Sequence, residues 1–335
     1  MVCMKAIIST TGVPATDPSA LIDVEREVPE PEGRDLLVEV KAVSVNPVDV
    51  KRRASSPSGT VLGYDAAGIV RAVGDAAELF AVGDKVYYAG AVDRPGSNSE
   101  YQLVDERIVG HKPAQLGFAG AAALPLTTIT AWEVLFDRLG LHELSAGTLL
   151  VVGASGGVGS MMLQLVDALL PGVTTIGTAS RPEAVEWERS LGAAHTVDHH
   201  GDLVAQVLEI APDGVEWVFS AHTEGQLETY AAILKPFGQI AAIDNPSSAD
   251  MLPLKSKSLA FHWEFMFTRP VQHTPDMIAQ HELLDEVAGL VDAGRIVSTV
   301  TEKLSPLDAE QLRAAHRMVE DGRMIGKVVV SGWPS

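Results

Sequence analysis

At 335 residues, with 46% hydrophobic and 21% charged side chains, the chain has an ordinary globular composition and enough length for two domains. A net charge of −19 argues against nucleic acid or an anionic membrane as a general partner. Cys3 is the only cysteine, which excludes an intramolecular disulfide and a cysteine-built zinc site.

The N-terminal stretch MVCMKAIIST lacks the apolar core of a secretion signal, so a cytoplasmic location is expected. The first third reads as β-rich. Leu36, Val38, Val40 and Ala42 alternate with Leu37, Glu39, Lys41 and Val43, the period of a strand. Glycine turns then recur between short valine-rich pieces such as Ala67–Val73 and Lys85–Tyr88, suggesting a barrel-like or sandwich-like domain. An Ala-rich helical segment, Phe118–Ala123, precedes Pro125 and a second helix, Thr128–Leu139, which reads as the crossing into the next domain. The uncharged runs Pro113–Trp132 and Leu144–Val166 read as buried strand, turn and helix rather than membrane spans, because proline, threonines and glycines interrupt them.

From Thr148 the pattern becomes strand–helix alternation. TLLVVGASGGVG (Thr148–Gly159) is a buried strand running into a glycine cluster, with Val158, Met161, Met162, Leu165 and Leu169 at helical spacing behind it. Such a helix N-terminus offers bare backbone N–H groups and the positive end of the helix dipole to an anion. Against the dinucleotide fingerprint, Gly156 and Gly159 are the second and third glycines, and Ala154 stands at the first. Further strands are expected at Thr174–Ala179, His195–Asp198, Val215–Ser220, Gln239–Ile243 and Leu259–Phe265, with helices between them, the signature of a doubly wound parallel sheet. After Arg269 come a helix (Met277–Asp292), a polar strand region (Ile296–Leu304), a helix (Asp308–Glu320) and a last strand (Lys327–Val330), expected to return to the first domain. The expected division is 1–125 with 270–335, and 126–269.

The end of the second strand bears on the choice of dinucleotide. An NAD site places a carboxylate about 20 residues beyond the glycines, to hold the ribose hydroxyls. Here that interval reaches Ala179, Ser180 and Arg181. A hydroxyl and a guanidinium suit a 2′-phosphate, so NADPH is expected rather than NADH.

With both halves placed, the chain resembles the medium-chain dehydrogenase/reductase superfamily, on its zinc-free quinone oxidoreductase-like side and within the "zinc-type alcohol dehydrogenase-like" subgroup. The resemblance rests on VNPVDVK (Val45–Lys51), LGYDAAGIV (Leu62–Val70), VGDKVYYAG (Val82–Gly90), RPGSNSEYQLVDERIVGHKP (Arg94–Pro113), AALPLTTITAWE (Ala122–Glu133), the Gly153–Gly159 turn and HWEFMFTR (His262–Arg269). It implies an α/β protein with a GroES-like β-rich catalytic domain, a Rossmann domain and a cleft between them. It also implies a homodimer formed through the last Rossmann strand, here Leu259–Phe265. Zinc members carry a cysteine where this chain has Asn46 or its neighbours, and a His-Glu pair where it has Tyr64-Asp65. His262, His273 and His281 lack metal-ligand spacing, and the adjacent His199 and His200 cannot easily share one ion, so surface or loop positions and no metal are expected.

The matching motifs imply the roles of individual residues. Gly156, Gly157 and Val158, with Ser155 nearby, correspond to the pyrophosphate-binding turn. Ser180 and Arg181 would bind the 2′-phosphate. His199 falls where relatives often carry a tyrosine reaching the same phosphate, and is equally well read as a polar strand end. Asn46 and Thr130 match positions on the nicotinamide side. Tyr64 is a candidate donor to a developing oxyanion, with a packed core tyrosine as the competing reading. Phe265 and Met266 are read as core or as a cover for nicotinamide or substrate. Lys327 is read as solvated, with an approach to the cofactor as the alternative.

Without a metal to polarise a plain carbonyl, hydride addition to a conjugated enone, enal or quinone is the easier reaction, because charge spreads onto a distant oxygen. The expected activity is therefore zinc-independent, NADPH-dependent reduction of such a small molecule. A zinc-free carbonyl reductase or alcohol dehydrogenase and a non-catalytic NADPH-binding sensor are the alternatives.

Overall fold

The computed structural model describes residues 2–334. In chain order the first elements are β1 (Cys3–Ser9), β2 (Leu21–Glu27), β3 (Asp35–Ser44), α1 (Pro47–Ser55), β4 (Ala66–Val73), β5 (Lys85–Tyr88), β6 (Tyr101–Asp105), β7 (Val109–His111), α2 (Phe118–Ala122) and α3 (Pro125–Trp132). Next come β8 (Gly147–Val152), α4 (Gly157–Leu169), β9 (Val173–Thr178), α5 (Pro182–Ser190), β10 (His195–Val197), α6 (Leu203–Ile210), β11 (Val215–Ser220), α7 (Leu227–Ile233), β12 (Leu234–Ala242) and β13 (Ala260–Trp263). The chain closes with α8 (Thr268–Gln272), α9 (Ala279–Asp292), β14 (Val300–Leu304), α10 (Ala309–Glu320) and β15 (Lys327–Ser331). It divides into two compact units, Met1–Ile129 with Phe267–Ser335, and Thr130–Met266.

The first unit is built on a seven-stranded sheet in the order β14-β15-β3-β4-β5-β7, with β6 paired to β3. The expected alternation along β3 is visible in its burial: Leu36, Val38, Val40 and Ala42 are wholly inside, while Glu39 and Lys41 stay partly exposed. The C-terminal segment does return to this unit. β15 runs antiparallel to β3, pairing Val329 with Ser44 and Val330 with Val43, and β14 lies parallel beside it. This long-range pairing puts Lys327 next to Val45 and Asn46, 281 positions earlier in the case of the asparagine. Val38, Val40, Val86, Tyr88, Val328 and Val330 share one core.

The second unit holds a six-stranded parallel sheet in the order β10-β9-β8-β11-β12-β13. Successive strands move outward from β8 on one side and from β11 on the other, so the order reverses between these two. Ligands of open α/β sheets bind at the carboxyl ends of strands at such a reversal. The glycine turn follows β8 there. Leu150, Ile176, Val218 and Ile240 are completely buried in the core of the sheet, as expected of strands covered on both faces.

One difference from the sequence reading stands out. The helix expected from Thr128 begins at Pro125, which serves as its first residue rather than as a break, and is followed by a π-helical turn, Glu133–Arg138. α6 is one of the helices expected between the strands; Asp202 caps it by accepting from the Ala205 N–H. The run Phe118–Arg138 is long and apolar enough to cross a membrane by length and composition alone, and 78% of its most apolar window is buried inside the fold.

Candidate functional site

In the second unit, the turn after β8 explains its own unusual fingerprint. The residue needing a left-handed backbone is Gly153, at φ +80°, so Ala154 is tolerated at the first fingerprint position, buried with an ordinary backbone. Gly156 is the N-cap of α4 and brings no side-chain cap, leaving the first-turn N–H groups open to an anion. Ser155, Gly156, Gly157 and Val158 are all partly exposed around this turn. Gly159 is needed for close packing: a Cβ there would lie 2.5 Å from both Ala154 Cα and Gly153 O.

β9 lies directly beside β8, and β10 beside β9, so their ends continue the same carboxyl edge. Ala179 N–H donates to Val197 O at 3.0 Å, which ties the segments carrying Ser180–Arg181 and His199 together. Arg181 is the N-cap residue of α5, and its guanidinium, 41% exposed, stands 3.5 Å from the Glu183 carboxylate. His199 is exposed and its ring lies 4.3 Å from that of His200; burial, then the His200 charge, hold its pKa below the ordinary value. Thr130, in α3, is 5% exposed.

One residue at this edge carries no local sequence signal. Glu188, on α5, is completely buried, and a Cβ on Gly177 of β9 would sit 2.3 Å from its Oε2. Neither oxygen completes a hydrogen bond. Burial pushes the carboxyl up to about 7, against a weaker pull from the Ser155 backbone N–H. The glycine turn is thus backed by a buried carboxyl group that holds its proton well above the ordinary carboxylate range. A glutamate at one position of an amphipathic helix does not advertise this, because only the packing of α5 on the sheet decides that it faces inward.

In the first unit, Asn46, Asp49, Asp65 and Lys327 form a buried polar cluster, each no more than 4% exposed. Asn46 precedes α1, and its N–H donates to Asp49 Oδ2 at 2.8 Å. Its Nδ2 donates to Asp65 Oδ2 at 2.9 Å and, more weakly, to Ser44 O at 3.4 Å; its Oδ1 accepts from Lys327 Nζ. Asp65 Oδ1 accepts from Leu126 N–H at 2.8 Å, and Lys327 Nζ lies 3.0 Å from Asp65 Oδ2. Burial raises the Asp65 pKa, opposed by Lys327, Asn46 and the Leu126 N–H; burial likewise pushes Asp49 up to about 7. Lys327 is therefore not the solvated lysine expected from its place near the C-terminus: β15 pairing carries it inside, where Asp65 supplies the carboxylate a buried ammonium needs.

Tyr64, beside Asp65, is 1% exposed and packs edge-on against Phe267 with ring centroids 5.6 Å apart. Its hydroxyl donates to no acceptor, and burial, then Asp49, raise its pKa against a weaker pull from Arg52, so it stays protonated. Other expectations need correction. Phe265 is 53% exposed rather than core, whereas Met266 is buried. Of the histidines expected at surface or loop positions, His262 sits partly exposed in strand β13 with Nε2 3.0 Å from Gln239 Oε1, and His281 partly exposed in helix α9 with Nδ1 2.7 Å from Val109 O.

The comparisons with known proteins agree with this architecture. The family described as "Alcohol dehydrogenase GroES-like domain" matches residues 32–129, and "Zinc-binding dehydrogenase" matches residues 191–330. A zinc-type alcohol dehydrogenase-like protein of Staphylococcus epidermidis is 38% identical over 98% of this chain and 99% of its own length. An NADPH-dependent alkenal/one oxidoreductase of Arabidopsis thaliana is 31% identical, covering 90% of this chain and 73% of that protein. A Rhizobium etli CFN 42 crystal structure, described provisionally as a zinc-dependent alcohol dehydrogenase, superposes with a TM-score of 0.96 at 49% identity, covering 99% of each chain. The chain belongs to the medium-chain dehydrogenase/reductase superfamily and is an oxidoreductase of that type.

Zinc, named by the second family description, does not fit the donors present. Catalytic zinc takes about three protein ligands from Cys, His and carboxylate. Among the described residues no group of three or more His, Cys, Asp and Glu side chains is placed to hold an ion, and Cys3 is exposed. At Asn46 and Asp65, among the positions where the resemblance implies zinc ligands in other members, an ammonium already draws on the side-chain oxygens.

Proposed function

We propose that the protein is a zinc-independent, NADPH-dependent oxidoreductase that reduces a conjugated enone or enal, or a quinone. The observation that carries this reading is the Lys327 ammonium seated among Asn46 and Asp65, where zinc chemistry would need free donors. Support for the substrate class comes from the Arabidopsis relative that acts on alkenals and alkenones.

A nicotinamide dinucleotide supplies hydride when bound. The open N–H groups at Gly156–Val158 would hold its pyrophosphate, and Ser180, Arg181 and His199 its 2′-phosphate. Tyr64 would donate to the oxygen on which charge develops, and its raised pKa keeps the proton in place until then. We further propose a homodimer through β13, an edge strand whose neighbourhood exposes Trp263 and Phe265 to about half their area.

The test is consumption of NADPH and of NADH by chelator-treated protein with a conjugated ketone, a small quinone and the saturated analogue of the ketone. Turnover with the first two substrates is expected and none with the third; activity confined to the saturated ketone, or dependent on added zinc, would overturn the proposal. Two substitutions sharpen it. Arg181→Ala should raise the KM for NADPH about 10- to 100-fold, the worth of one charge-assisted contact, and leave that for NADH unchanged. An equal change for both cofactors would remove Arg181 from the phosphate site. Tyr64→Phe should lower kcat on the conjugated ketone roughly 100-fold without weakening NADPH binding; unaltered kcat would return Tyr64 to a packing role.

A further inference from the structure

Among the described residues Lys327 is the only buried lysine, and the hydride reaction gives it no direct part. Its three N–H donors meet Asn46 Oδ1, Asp65 Oδ2 at 3.0 Å and Val45 O at 3.4 Å, so every donor has an acceptor. The arrangement also decides which way the Asn46 carboxamide faces. With Lys327 on one side and Asp65 on the other, only one amide orientation avoids setting NH2 against an ammonium and oxygen against a carboxylate. Asp65 in turn receives Leu126 N–H on its other oxygen, which anchors the start of α3.

We infer that the Lys327 ammonium is the resident cation of this cluster: it does the charge-balancing and side-chain-orienting work that a metal ion would do, and it bars a metal from the same oxygens. Lys327 is thus a positioning residue acting through Asn46 and Asp65. The inference rests on contacts within the first unit and holds whichever dinucleotide or substrate the protein uses.

The experiment uses the full chain and does not depend on turnover. Wild-type protein incubated with zinc sulfate and desalted should retain only substoichiometric zinc at this cluster, with no rise in Tm. Lys327→Ala strips Asp65 and Asn46 of their cation and should lower Tm by roughly 10 °C. Millimolar ethylammonium should restore most of that loss by entering the space with its own N–H donors, whereas tetramethylammonium, which has none, should not. Because Lys327→Ala could fold poorly, Lys327→Met and Asp65→Asn are each compared with the double variant Lys327→Met/Asp65→Asn. Removing the stranded carboxylate should make the double variant more stable than the single. Stoichiometric zinc on the wild type, equal rescue by both cations, or a double variant whose loss is the sum of the two singles would overturn the inference.

Discussion

Gly159→Ala is expected to weaken NADPH binding at least about 100-fold, the penalty of a misplacement near 1 Å at a site of this kind. The added methyl carbon would meet Ala154 Cα and Gly153 O at 2.5 Å and Ala154 O at 2.7 Å. All three atoms are backbone, so no side-chain rotation can relieve the contact, and α4 must withdraw from the turn whose N–H groups it presents. The control is Gly289→Ala in α9, where a Cβ meets nothing within 4 Å and the substitution should raise helix stability slightly. Fluorescence titration with NADPH, with circular dichroism to establish folding, reads the difference. A folded Gly159→Ala protein binding NADPH as the wild type does would show that the turn is not the pyrophosphate site.

The second large effect is on stability as pH rises. Glu264, following β13, has its pKa pushed up to about 8, first by burial and then by the neighbouring Glu133 carboxyl, against the pull of Arg138, whose Nε donates to Oε2 at 2.7 Å. Glu188 is raised to about 7. Both carboxyls ordinarily ionise near 4.5, so above that pH the folded chain holds protons that the unfolded chain has released. The slope of unfolding free energy with pH is then negative, and stability falls until pH passes the folded pKa values. His316 acts oppositely at lower pH. Burial, then Arg53, depress it to about 3, so the unfolded chain binds the extra proton between there and 6.5 and stability rises with pH across that interval. The unopposed decline therefore lies between pH 6.5 and about 8. A loss on the order of 2 kcal/mol is expected over that interval, or roughly 4–8 °C in Tm. Glu264→Gln, which mimics the protonated side chain, should flatten the curve; an unflattened curve would mean that Glu264 is already ionised in the folded state.

Both effects concern the parallel-sheet unit, yet they were not equally legible beforehand. The glycine turn could be read from residues in sequence, because a buried strand, a left-handed glycine and a bare helix start are local needs met by neighbouring residues. All six strands of that sheet, and the return of the C-terminal segment to the first unit, followed from periodicity in the same way. Ser180 and Arg181 stand out by a fixed interval along one βαβ unit, whereas His199 is singled out only by the family resemblance.

What periodicity could not supply was the polarity of the interior. A lysine near the C-terminus, a glutamate on a surface-like helix and a glutamate after an edge strand all have bland local surroundings. Their states are decided by partners far along the chain: Lys327 by Asp65, 262 positions away, and Glu264 by Arg138, 126 positions away. Burial removes water from such groups, and the pairing then determines whether each is charged. The sequence by itself determined the glycine turn and the succession of strands along the chain, since both are written in local spacing. Only the tertiary structure decided that an ammonium sits among the oxygens of Asn46 and Asp65, because that depends on β15 pairing with β3 across almost the whole length of the chain.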